Sequence, residues 1–126
     1  MGYIQKQVDS QKDLTVYTVL GKISAGQVRR VILKFYEDDV TLKVLWDLSK
    51  SDVNSLTASE IQGVAFTSRK SAGKRKGGKT AIVASENLTF GLTRMYELLT
   101  NAQDLPFETQ AFRTTEEAYQ WLLEPE

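Results

Sequence analysis

Hydrophobic and polar positions along the 126-residue chain change period several times, and each change predicts an element. Residues 3–8 and 14–20 cluster or alternate β-branched and aromatic residues around a polar stretch at 9–13, which predicts a hairpin. Gly21 is expected to break the second strand. Ser24 then stands where it can cap a helix whose apolar residues Val28, Val31, Ile32 and Phe35 share one face. The acidic turn Glu37-Asp38-Asp39 closes that unit. Residues 42–48 form a nearly unbroken apolar run, the signature of a strand covered on both faces.

The second half repeats the alternation. Residues 57–71 predict a helix with Ile61, Val64, Ala65 and Ser68 inward, and residues 79–84 predict another buried strand. A helix from about Ser85 or Asn87 to Leu99 turns Leu88, Leu92, Met95, Tyr96 and Leu99 inward. Residues 107–112 predict a last short strand. Thr114 and Glu117 have capping-box spacing at the start of a final helix carrying Ala118, Trp121 and Leu122. From the second strand onward every connection passes through a helix, which favours parallel strands joined by right-handed crossovers. The first strand is expected antiparallel at an edge. The expectation is one α/β domain over residues 1–126, with a mixed, mainly parallel sheet of about five strands and four helices.

Composition narrows the chemistry more than the fold. The chain is 41% hydrophobic and 25% charged, and its sixteen basic and sixteen acidic residues cancel, so net charge names no partner. It has no cysteine and no histidine, which removes disulfides, thiolate nucleophiles, the commonest metal ligand and the usual general base near neutral pH. No cofactor or metal is expected. The first residues lack the apolar stretch of a signal peptide, and no apolar run approaches the ~20 residues of a membrane span, so a cytoplasmic location is the default expectation.

Two segments carry candidate chemistry. Residues 73–80, GKRKGGKT, spell the phosphate-loop pattern, but that loop needs a strand before it and a helix N-terminus after it. Here a predicted helix precedes and a predicted strand follows, so a nucleotide site is not favoured. Arg69, Lys70, Lys74, Arg75, Lys76 and Lys79 instead read as a flexible, solvated basic loop broken up by Gly73, Gly77 and Gly78, or as a handle for an anionic ligand or lipid. No aromatic residue interrupts the run, so nucleic acid has nothing to stack on. The other segment is residues 42–60. Its strand ends in Asp47, after which Ser49, Ser51, Asp52, Asn54, Ser55 and Thr57 crowd the carboxyl end, where α/β folds place ligands. Turn chemistry and a Thr57–Glu60 capping box account for these residues without any ligand. Equally, a hydroxyl here would hold a phosphate at a helix N-terminus and switch a docking surface. Arg94 and Glu97 read as surface charges. Trp46 and Trp121 read as core or subunit-contact aromatics, the latter leaving a homodimer open.

The order of elements and the run VLWDLSKSDVNSLTASEI resemble the STAS domain family, which includes anti-anti-sigma factors and cytoplasmic domains of sulfate transporters. FGLTRMYELL and PFETQAFRTTEEAYQWL look closer to a group of uncharacterised bacterial STAS-like proteins. The family motif is an apolar strand ending in Asp, a loop, and a Ser or Thr opening a helix. Its regulatory hydroxyl usually lies in an Asp-Ser-Ser-Gly run. This chain has Asn54-Ser55-Leu56-Thr57-Ala58 there, making Thr57 the nearest equivalent by position and Ser55 the second. The resemblance implies a non-enzymatic regulatory module that docks a protein partner, with Thr57 or Ser55 as phospho-acceptor. A small-ligand or lipid-binding domain is the alternative, and it predicts an apolar cavity between sheet and helices. An enzyme without histidine or cysteine chemistry ranks last.

Overall fold

The computed structural model describes residues 2–125. Its strands are β1 (Tyr3–Asp9), β2 (Leu14–Lys22), β3 (Lys43–Asp52), β4 (Lys79–Val83) and β5 (Glu108–Phe112). Its helices are α1 (Ala25–Glu37), α2 (Ala58–Phe66), α3 (Asn87–Asn101) and α4 (Thr115–Leu122). The strands lie side by side in chain order, β1 antiparallel to β2 and the remaining pairs parallel. The predicted mixed sheet of five strands with four helices is therefore present, with the antiparallel strand at an edge.

Helices α1, α2 and α3 cover one face in sequence and α4 packs on the other, against β3, β4 and β5. On the first face Tyr17, Ile32, Phe35, Val44 and Val64 form one cluster, and Val19, Ile23 and Val53 another. On the second, Leu14, Leu45, Ala81, Val83, Ala118 and Leu122 interlock. Leu45 and Leu122 are wholly buried, each contributing ~1.5–3 kcal/mol by removal from water. Ser24 and Thr57 each form a full capping box, with Gln27 and Glu60 respectively. Thr114 accepts from the Glu117 amide, but its hydroxyl faces the Glu117 carboxylate instead of completing the expected box.

Four expectations need correction. β3 does not end at Leu48 but continues to Asp52, and β2 runs through Gly21, which holds φ at +75°. α2 stops at Phe66, not Ser71. Thr67 turns its hydroxyl back to the Gly63 carbonyl, and its amide takes the Val64 carbonyl, tightening the chain into turns. On α3 Leu88 is 62% exposed, and the fully buried positions are Thr89, Thr93, Glu97 and Thr100. Thr93 and Thr100 donate to the carbonyls of Phe90 and Tyr96, so they can turn methyl groups inward without orphaning a hydroxyl.

The largest correction concerns the basic segment. Residues 72–75 form a 3-10 turn, and Arg75 is only 3% exposed. Its guanidinium donates to the carbonyls of Thr41, Leu42 and Lys79 and to the Thr80 hydroxyl at 2.8–3.1 Å, and lies 4.4 Å from the Phe107 ring centre. Lys74 donates to the Tyr36 carbonyl, and Lys79 donates to the Trp121 carbonyl across the Trp121 ring. Arg69 covers the Phe66 ring, while Lys70 and Lys76 are exposed. Half of the supposed solvated loop is structural. Gly78 is needed here because a Cβ would overlap the Leu42 carbonyl oxygen, the acceptor that ties β3 to β4.

Candidate functional site at the carboxyl end of the central strand

Of the sequence run from Asp47 to Thr57, residues 47–52 belong to β3, and only residues 53–57 form a connection. Thr18 pairs with Asp47 and Leu20 with Lys50, so β3 carries one more residue than β2 between these rungs. That is a β-bulge, which leaves an amide to be satisfied locally. Asp47 satisfies it, accepting from the Ser49 amide at 3.0 Å and from the Ser49 hydroxyl at 2.6 Å. Ser51 donates to the Leu48 carbonyl at 2.7 Å. Asp47, Ser49, Ser51 and Asp52 thus belong to a bulged strand rather than to the polar turn that the sequence pattern predicts.

Beyond β3 the chain makes one tight turn. The Asp52 carboxylate accepts from the Asn54 amide, and Val53 is buried while its carbonyl accepts from the Leu56 amide at 3.1 Å. Asn54 and Ser55 therefore occupy the exposed corner. The Asn54 side-chain Oδ1 accepts from the Thr89 hydroxyl at 3.2 Å, tying the corner to the first turn of α3. The Asp52 backbone carbonyl accepts from Ile23, tying it to the start of α1. Three strand-to-helix connections meet here, and the turn is braced from both sides.

Thr57 and Ser55 differ in their duties. The Thr57 hydroxyl accepts from the Glu60 amide at 3.1 Å, and its amide donates to the Glu60 carboxylate at 2.9 Å. Ser55 is exposed, and its hydroxyl has no protein partner among the described residues. A phosphate on Thr57 would gain from the helix N-terminus but crowd the Glu60 carboxylate. A phosphate on Ser55 would break no hydrogen bond within the protein.

The sequence-predicted residues fall into two groups at opposite ends of the sheet. Asp47, Ser49, Ser51, Asp52, Asn54, Ser55 and Thr57 lie at the carboxyl ends of the parallel strands. Arg69, Lys70, Lys74, Arg75, Lys76 and Lys79 lie at the other end, where β4 begins beside Lys43 and Glu108. They form no common site.

Behind the braced turn, between the sheet and α1–α3, is a cavity of about 80 Å³ lined by Trp46, Leu56, Ile61, Ile82 and Leu92 among others. Among the described residues lining it, Thr93, Tyr96 and the Trp46 indole carry polar atoms, and the rest are aliphatic. A cavity that admits benzene measures ~150 Å³, so this one takes no lipid chain unless the helices part. Burial pushes the Tyr96 hydroxyl up to about 12, and burial with Asp38 nearby does the same for Tyr17, whose ring stacks on Trp46 at 4.5 Å. Both remain neutral at physiological pH. Burial also lowers the Arg75 pKa, opposed by Tyr36.

Several working residues escaped the sequence reading. Glu97 is a buried carboxylate, not a surface charge: it pairs with Arg94 and accepts from the Ala111 amide. Asn101 accepts from the Thr109 amide and donates to its carbonyl. The legible signal was the spacing of Thr89, Thr93, Glu97 and Thr100, a polar stripe at helical period.

No protein-family model and no curated protein matches the chain. Solved structures do. An uncharacterised protein of the DUF3478 family from Shewanella loihica PV-4, described as having a SpoIIAA-like fold, is 17% identical with a TM-score of 0.56, over 96% of this chain and 93% of that one. The fold is SpoIIAA-like. An anti-sigma factor antagonist from Mycobacterium paratuberculosis aligns at 19% identity and a TM-score of 0.62, over 97% of this chain and 94% of that one. Unphosphorylated SpoIIAA, also an anti-sigma factor antagonist, aligns at 13% identity and 0.55, over 98% of this chain and all of the other. The SpoIIAA-like fold is the STAS-like architecture that the sequence resemblance implied. No described helix is long and apolar enough to cross a membrane.

Proposed function

We infer that this chain is a non-enzymatic regulatory module that docks a protein partner with the corner Asn54–Thr57 and the first turn of α2. The observation that carries the reading is the bracing of this exposed corner. Asp47, Asp52 and Thr57 spend their side chains on β3 and the turn, and Asn54 spends its own on α3. Carboxylates used as backbone acceptors supply shape, not proton transfer, and a preorganised surface lowers the entropy cost of association. The likeness to two anti-sigma factor antagonists supports a protein partner of that regulatory kind. Ser55 and Thr57 are the hydroxyls through which phosphate would switch the surface, Ser55 being the one with no structural duty to lose. A cytoplasmic location fits this role.

The test compares partner capture by the native chain with capture by Ser55→Asp, Thr57→Glu and, as a distant control on α4, Gln120→Glu. The reading expects one protein retained by the native chain and the control but lost with Ser55→Asp and Thr57→Glu. Retention by all four would remove the surface from consideration. The apolar cavity behind Leu56 gives a second reading, a small apolar ligand, which would enter only if the helices part to enlarge it. Native mass spectrometry would show a bound small molecule if that reading were correct.

A further inference from the structure

The two edges of the sheet are treated differently. At β5 the outer backbone groups are occupied by α3: Asn101 gives the Thr109 amide and carbonyl what a neighbouring strand would give, and Glu97 takes the Ala111 amide. An edge sealed in this way cannot recruit a further strand. At β1 nothing comparable is present. Among the described residues no side chain hydrogen-bonds to the backbone of residues 3–8, and Ile4 is the one residue of β1 that is not exposed. A seven-residue strand with its outer side open is a template for another extended chain.

The space beside that edge has its own chemistry. Between β1 and α1 runs a groove of about 470 Å³ with Tyr17, Val31 and Phe35 on its walls. Lys6, Arg30 and Lys34 also line it, against the single acid Asp38, which Lys34 pairs at 3.5 Å. Ile4 and Lys6 share the helix-facing side of β1, because they pair with Val19 and Tyr17 in the ladder. A strand laid along β1 would therefore send alternate side chains over an apolar floor rimmed by positive charge.

We propose that the β1 edge and the β1–α1 groove form a second docking site, which takes an extended, acidic segment of a partner protein as an added strand. Charge selects this occupant over a second copy of the chain. Two β1 strands paired antiparallel about their centres would set Lys6 against Lys6 and bring two basic rims together, which is unfavourable for directly opposed residues. An acidic segment meets the same rim as counter-charge, and its backbone completes the open edge. None of the residues lining this groove belongs to the Asn54–Thr57 corner, so the two surfaces can be tested separately.

The experiment uses the full chain and a fluorescein-labelled probe of about eight residues, alternating threonine with glutamate and valine. Comparison probes replace glutamate with lysine or methylate alternate backbone amides. Fluorescence anisotropy should show binding of the acidic probe, and binding about tenfold weaker with Lys6→Glu/Arg30→Glu. Methylation should abolish binding, Thr57→Glu should leave it unchanged, and amide NMR shifts should concentrate in residues 3–8. All the substituted residues are exposed, and circular dichroism checks that the variants keep the fold. Equal binding of acidic and basic probes, tolerance of methylation, shifts elsewhere, or no binding at millimolar probe would each overturn the proposal. So would a concentration-dependent dimer whose formation buries the residue 3–8 amides.

Discussion

Replacing Arg75 with methionine keeps an unbranched apolar stem while removing the guanidinium and every hydrogen bond it makes. Three backbone carbonyls and the Thr80 hydroxyl lose a charged donor. Such bonds are worth ~1.5–3 kcal/mol each, but their simple sum overstates the loss. Leu42 keeps the Lys79 amide at 2.9 Å, and removing the guanidinium also relieves a desolvation cost of several kcal/mol. The Thr41 carbonyl is left worst, and the contact over Phe107 disappears. A net loss of about 3 kcal/mol follows, visible as a Tm lowered by ~10 °C in a chain of this size. Arg75→Lys should recover only part of it, because one ammonium cannot reach acceptors that the guanidinium contacts through three nitrogens. Urea unfolding followed by circular dichroism, read as a midpoint shift at constant slope, measures the loss. If Arg75 were the solvated loop residue that the sequence pattern predicts, methionine would cost less than ~0.5 kcal/mol, and that result would refute the reasoning.

Three further outcomes follow from the same structure. Tyr17 and Tyr96 hold their protons to about pH 12 in the fold, whereas the unfolded chain releases them near 10. Their stabilisation is complete below pH ~10 and is lost as pH rises from there towards 12, so the urea midpoint should be flat and then fall. Gly78→Ala should destabilise by ~1–3 kcal/mol in thermal unfolding, because the methyl group displaces the Leu42 carbonyl that accepts from Lys79. Asn101→Ala combined with Glu97→Ala should uncover the β5 edge and promote self-association, seen in sedimentation velocity as species absent from the native chain.

The fold was legible because each connection wrote its own signal. Ser24 and Thr57 sit at true helix starts with Gln27 and Glu60 three residues on, and the apolar run before Asp47 is buried on both faces as its composition required. What escaped was long-range polar pairing. Arg75 sits among glycines and lysines that look solvated, and its acceptors on residues 41, 42 and 79 are disposed by strand packing that no local pattern records. α3 misled in the opposite sense. Its leucines announced a core face, yet Thr93 and Thr100 can be buried at little cost because the hydroxyls turn back onto the helix. At the candidate site the strand geometry escaped the sequence reading. Asp47 and Ser49 looked like loop chemistry because a β-bulge has no signature of its own in the alternation of side chains.

The docking surface itself is tested most directly by photo-crosslinking in the cell. A benzoylphenylalanine placed at Ser55 should capture one discrete protein, and the same group at Gln120 on α4 should not. The captured band should vanish when Thr57→Glu is added. Equal capture from both positions, or capture unaffected by Thr57→Glu, would contradict the assignment of Asn54–Thr57 as the partner-binding corner.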